Sequence, residues 1–111
     1  MHMGSLFKVS KQPGFIHIVI NNNAHDSVGG QPTDAYDIDF VQLGQSLGFN
    51  FCYSVSSKKE LKKAILASVH DINSSYFIEI RVYKGNRKNL GRPKETPIQN
   101  KNIFMKRWSN K

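Results

Sequence analysis

The apolar positions alternate along the chain between the spacing of a strand and the spacing of a helix. Phe15, Ile16, Ile18, Val19 and Ile20 form a run broken only by His17, which predicts a parallel strand over Phe15 to Asn21, buried on both faces. Ahead of it, Met3 to Lys11 reads as a short helix stopped by Pro13-Gly14. A long polar loop then runs to Asp37. Asp39 caps a helix carrying Phe40, Val41, Leu43 and Leu47, with Gly48 as its C-terminal stop. Phe49 to Val55 is a second strand. Ser56 or Ser57 caps the next helix, with Glu60 in its first turn and Leu61, Ile65, Leu66 and Val69 as its apolar stripe. Tyr76 to Tyr83 makes a third strand that ends in charge. Strands separated by helices predict an α/β fold, a parallel βαβ sheet with right-handed crossovers. Residues 84–98 hold glycine, asparagine, proline and many basic residues, so an irregular basic tail is expected there, followed by a helix over 99–108. No internal repeat is present.

A chain of 111 residues makes one small domain, in a size range where the buried fraction of surface is low and stability marginal. The formal charge of +8 favours anionic partners such as diphosphate, phosphonate or nucleic acid. No recognisable RNA- or DNA-binding motif accompanies that charge, so nucleic acid is not the expected partner. The single Cys52 excludes an internal disulfide and, between Phe51 and Tyr53, reads as a small buried thiol. No apolar stretch approaches the ~20 residues of a membrane span. With no visible signal peptide, no membrane partner is expected and the expected location is cytoplasmic.

The candidate chemistry lies where the first strand stops, at Asn21-Asn22-Asn23-Ala24-His25-Asp26-Ser27-Val28-Gly29-Gly30-Gln31-Pro32-Thr33. Ligands of open α/β sheets sit at the carboxyl ends of such strands. Amide and backbone oxygens there suit a hard cation such as Mg²⁺, whose octahedron is completed by phosphate oxygens and water. The residues alone therefore indicate a Mg²⁺-diphosphate site. His25 and Asp26 admit an acid/base reading, because histidine titrates near neutral pH and a neighbouring carboxylate can hold its proton. Adjacent side chains rarely converge on one point, and the plainer reading gives one the site and the other a loop hydrogen bond. Gly29-Gly30 lets the backbone turn close to a ligand or to a neighbouring chain. His2, His17 and His70 lack metal-like spacing and read as structural or surface residues.

Asn21-Asn22 after an apolar strand resembles the second half of the thiamine-diphosphate motif, Gly-Asp-Gly followed a helix and a strand later by Asn-Asn. The string from Asn22 to Thr33, with Ala-His-Asp-Ser-Val-Gly-Gly-Gln-Pro-Thr intact, resembles the phosphonopyruvate decarboxylases more specifically. Phe77-Ile78-Glu79-Ile80-Arg81-Val82 followed by Gly85, Arg87-Lys88, Leu90-Gly91-Arg92-Pro93, Thr96-Pro97, Asn100-Lys101 and Phe104-Met105 resembles the end of the same enzymes. The resemblance implies that Asn22 ligates the metal through its side-chain oxygen and that Ala24 does so through its backbone carbonyl, both as part of the cofactor site. The alternative for Asn22 is a turn residue bonded to its own backbone. His25 is the implied contact to cofactor or substrate and the catalytic candidate. Asn23 stands where the family has glycine, and asparagine tolerates positive φ better than other residues.

The same resemblance implies thiamine diphosphate and Mg²⁺ as cofactors and a 2-oxo acid as substrate. Phosphonopyruvate would be converted to phosphonoacetaldehyde and carbon dioxide, a step of phosphonate biosynthesis. No Gly-Asp-Gly occurs in the 111 residues, and the pyrimidine-binding domain with its activating glutamate is also absent. The chain is therefore expected to be a C-terminal fragment of a thiamine-diphosphate-binding domain, residues 1–111 being one partial domain. Such a carboxy-lyase would be incomplete and inactive alone, and would act as an oligomer with an upstream part or a second subunit. Sulfopyruvate decarboxylase, a non-catalytic remnant and a basic nucleic-acid-binding module are the alternatives. Lys84, Arg87, Lys88, Arg92 and Lys94 are either a phosphonate clamp, which guanidinium geometry suits, or a solvated basic tail.

Overall fold

The computed structural model of the chain describes residues 3–85, 87–91 and 93–109. His2 and Arg92 lie outside them. Helix α1 (Met3–Val9) leads into strand β1 (Ile16–Asn21), and the predicted polar loop then contains a short hairpin, β2 (Ala24–His25) with β3 (Gln31–Pro32). Single 3₁₀ turns occupy Asp26–Val28 and Asp34–Asp37. Helix α2 (Phe40–Ser46), strand β4 (Phe51–Val55), helix α3 (Lys58–His70) and strand β5 (Tyr76–Arg81) follow, and helix α4 (Pro97–Ser109) comes last.

The helix starts follow from their capping residues. The Asp39 carboxylate accepts from the Gln42 N–H at 2.9 Å. Ser57 closes a capping box, its Oγ accepting from the Glu60 N–H at 3.2 Å while the Glu60 carboxylate accepts from the Ser57 N–H at 3.0 Å. Gly48, at φ +90°, supplies the left-handed residue just past α2.

The sheet is parallel in the order β1-β5-β4, so the last strand of the sequence lies in the middle. Its neighbours Phe77 and Ile78 are both fully buried and, by strand alternation, face opposite sides. Around Phe77 pack Leu6 of α1, Phe40 of α2, Leu47 and Phe49; around Ile78 pack Val55 and Ala64 of α3. The result is an α/β/α arrangement with one core on each face of β5.

Two packing expectations are corrected by this topology. β1 is not buried on both faces: Ile18 and Ile20 are 43% and 70% exposed, because β1 is an edge strand and α3 covers β4 and β5 instead. On α3, Leu61, Ala64 and Ile65 face the sheet, whereas Leu66 and Val69 are exposed on its flank. At 100° per residue, 66 and 69 turn away from the 61–64–65–68 face, where Ser68 is buried. Helix α4 is exposed along its whole length. Among the described residues no helix is long and apolar enough to cross a membrane.

Candidate functional site

The parallel strands point the same way, and their carboxyl ends bring Asn21, Ser54 and Arg81 to one end of the sheet. Asn21 is buried, and its amide Nδ2 donates to Glu79 Oε1 at 2.7 Å. The other carboxylate oxygen of Glu79 accepts from Ser54 Oγ at 2.6 Å and lies 3.7 Å from Arg81 Nε. Glu79 itself is 3% exposed, so a full carboxylate is held inside the sheet by donors from both neighbouring strands. Burial of such a group is tolerated only when its oxygens are bonded in this way.

Beyond Asn21 the chain reverses through a set of side-chain-to-backbone bonds. Asn21 Oδ1 accepts from the Asn23 N–H at 3.0 Å, and Asn22 Oδ1 accepts from the Ala24 N–H at 3.1 Å. Asn23 has φ +53°, as its tolerance of that region allows. Its buried Oδ1 has no hydrogen-bond partner among the described residues. The hairpin turns through Gly29 and Gly30, at φ +92° and +70°, values that side-chain-bearing residues rarely adopt. Thr33 N–H donates to the Asn23 carbonyl at 3.1 Å. That bond makes Ala24 and Pro32 a pair of the non-hydrogen-bonded type, with the backbone polar groups of Ala24 directed away from β3. The register also explains how a proline fits in β3, since no ladder bond is asked of it.

The structure places the expected site residues unevenly. Asn22 and Ala24 come together, their oxygens on the outer edge of the hairpin. The plainer role of Asn22 is also realised, because its oxygen completes a turn with Ala24; the amide oxygen keeps a second lone pair. Asn22 Nδ2 donates to Asp26 Oδ2 at 2.8 Å, and the same oxygen accepts from the Gly85 N–H at 3.1 Å, fastening the start of the basic tail to the loop. Asp26 thus takes the loop-bonding role, while His25 is exposed. The basic residues Lys84, Arg87, Lys88 and Lys94 are exposed.

Two clefts open at this end of the sheet and meet at Arg81. One, of about 260 Å³, is lined by Asn21, Asn23, Ser56, Arg81, Val82 and Tyr83. The other, of about 440 Å³, lies over Ser54, Glu79 and Arg81 below Tyr36, Asp37 and Asp39. Among the described residues no group of three His, Cys, Asp or Glu side chains is placed to hold a metal ion. The oxygens of Asn22 and Ala24 suit Mg²⁺ in type and would fill only part of its octahedron. Glu79, Ser54 and Arg81 were not singled out from the sequence. The available signal was a charged residue inside the apolar run Phe77-Ile78-Glu79-Ile80.

These features define an α/β protein whose sheet presents side-chain and backbone oxygens beside clefts at the carboxyl ends of its strands. The sequence comparisons are narrower. Over 101 residues, 89% of this chain, it is 32% identical to the phosphonopyruvate decarboxylase of Streptomyces viridochromogenes. Over 99 residues, 87% of the chain, it is 31% identical to that of Streptomyces hygroscopicus. The chain thus resembles phosphonopyruvate decarboxylases along most of its length, as its motifs imply. It spans about a quarter of the length of these curated relatives (25% and 24%). No family model and no solved structure matches the chain.

Proposed function

We propose that this chain is the Mg²⁺- and diphosphate-binding part of a thiamine-diphosphate-dependent decarboxylase of phosphonopyruvate. The observation that carries the reading is the pairing of Asn22 Oδ1 and the Ala24 backbone on one edge of a glycine-turned hairpin, at the carboxyl end of a parallel sheet. Asn22 and Ala24 would hold the metal. Their carbonyl-type oxygens are the hard donors it prefers, and the remaining positions fall to diphosphate, water and an aspartate from a Gly-Asp-Gly segment on another part of the enzyme or a second subunit. When bound, thiamine diphosphate supplies the electron sink that a 2-oxo acid needs to lose carbon dioxide. The chain's own residues orient and enclose. Asp26 holds the Asn22 amide, so that its oxygen faces Ala24, and ties the tail to the loop. His25, exposed on the hairpin, is the proposed contact to cofactor or substrate.

The chain is proposed to be inactive by itself and active in combination. Purified chain with thiamine diphosphate and Mg²⁺ should show no phosphonopyruvate turnover above the cofactor-only control, and turnover should appear when a polypeptide carrying Gly-Asp-Gly and the pyrimidine-binding domain is added. Asn22→Ala should abolish Mg²⁺-dependent cofactor binding in that assembly, and His25→Ala should lower turnover more than cofactor affinity. Turnover by the chain alone, or an assembly indifferent to Asn22→Ala, would refute the reading. Sulfopyruvate assayed beside phosphonopyruvate decides the substrate.

A further inference from the structure

Glu79 is costly to the fold. It sits one residue past Ile78 in the central strand, on the face that carries Phe77, and an apolar residue there would simply extend the core. Each carboxylate oxygen has a specific donor, Asn21 Nδ2 at 2.7 Å on one side and Ser54 Oγ at 2.6 Å on the other. The first of these bonds determines which way the Asn21 amide faces. With Nδ2 turned to Glu79, Oδ1 must face outward, where it accepts from the Asn23 N–H at 3.0 Å. Asn23 is the residue at φ +53°, flanked by Asn22 and Ala24. A carboxylate on the central strand therefore reaches, through one buried amide, the backbone that presents the two candidate metal ligands.

We infer that Glu79 is a positioning residue, which acts through Asn21 to hold the Asn21-Asn22-Asn23 turn in the conformation that presents Asn22 and Ala24. What the loop presents those oxygens to rests on the proposed function; the coupling from Glu79 to the turn does not. The inference accounts for a buried charge that packing does not require, and it makes the turn dependent on a residue 58 positions away in sequence.

The full chain, isotopically labelled and followed by amide hydrogen exchange, tests this directly. Glu79→Met removes the acceptor while keeping volume, and the Asn23 amide should exchange roughly tenfold faster or more, while amides of α3 and β4 keep their protection. Glu79→Gln retains a carbonyl oxygen for Asn21 and should restore most of the protection at Asn23. If Glu79→Met does not fold, the double variant Ser54→Ala/Glu79→Met removes the carboxylate together with its other polar partner, leaves Asn21 in place, and should fold with a fast-exchanging Asn23. Wild-type protection at Asn23 in any folded variant lacking the Glu79 acceptor would overturn the inference. A uniform loss across β4, β5 and α3, not rescued by glutamine, would also overturn it, since Glu79 would then be a general core residue. Mn²⁺, used as a paramagnetic probe for Mg²⁺, should broaden the Asn22 and Ala24 signals of the labelled wild-type chain when it is assembled with the polypeptide carrying Gly-Asp-Gly in the presence of thiamine diphosphate. Absence of that broadening would count against the metal-binding reading, while the exchange rate at Asn23 still decides the role of Glu79.

Discussion

Replacing Asn23 with glycine should stabilise the protein. Asn23 carries two costs: a positive φ of +53° and a buried Oδ1 without a partner among the described residues. A left-handed conformation costs an L-residue about 1–2 kcal/mol, less for asparagine than for most. An unsatisfied buried polar atom costs about 1–3 kcal/mol. Against these stands the greater freedom of glycine in the unfolded chain, about 0.4–1 kcal/mol. The backbone would not relax on substitution, because the Asn23 N–H and C=O are held by Asn21 Oδ1 and the Thr33 N–H. The balance is a gain of at least about 0.5 kcal/mol, which for a domain of this size raises Tm by about 2 °C or more. Asn23→Ala separates the two costs, since it removes the orphan oxygen and keeps the strain. Glycine should exceed alanine by about 1 kcal/mol in urea unfolding at neutral pH. A glycine variant less stable than wild type, or no more stable than the alanine variant, would refute the reasoning.

Gly44→Ala in α2 should destabilise, because the new Cβ would lie 2.8 Å from Cys52 Sγ and 3.0 Å from the Phe77 ring. The overpacking costs about 1–3 kcal/mol and outweighs the gain in helix propensity of about 1 kcal/mol; denaturant midpoints of the single variant and of Gly44→Ala/Cys52→Ala, which recovers part of the loss, check it. Burial lowers the pKa of His17, whose ring centroid lies 5.3 Å from that of Phe77. Its neutral form is favoured on folding, so the contribution is present above the unfolded pKa near 6.5 and is lost as pH falls through the lower folded value; His17→Phe should flatten the stability profile below about pH 7. Ile18 and Ile20 form an uncovered apolar strip on an edge strand, so the isolated chain should self-associate, and Ile20→Lys should shift sedimentation toward monomer.

The elements were largely legible because their signals are local. Asp39 and Ser57 announce the starts of α2 and α3 through bonds to residues three positions on, and Gly48 marks a stop that depends only on its own φ. The loop was legible in part. The positive φ of Asn23 and the turn at Gly29-Gly30 follow from residue type, whereas the β2–β3 pairing within the loop depends on register with Pro32. Burial was misread at Ile18, Ile20, Leu66 and Val69, since which column of a sheet a helix covers is set by strand order, and an edge strand and a central one can share the same apolar run. Glu79 was missed for a related reason. Its partners Asn21 and Ser54 lie 58 and 25 positions away, and nothing local to the run Ile78-Glu79-Ile80 shows that a strand on each side supplies a donor.

The strand order has a consequence for synthesis. β1 and β4 each pair with β5 and not with one another, so the three-stranded sheet cannot exist on a growing chain until Tyr76–Arg81 has emerged. Up to that point Phe15, Val19, Phe49 and Cys52, all destined for the Phe77 core, have no sheet to join. Domains that can begin folding from their N-terminal end shield such residues early; this one exposes them until its central strand arrives. Its vulnerable interval is therefore fixed by topology, and the insertion of β5 between two waiting strands completes the core and the Glu79 network in the same event.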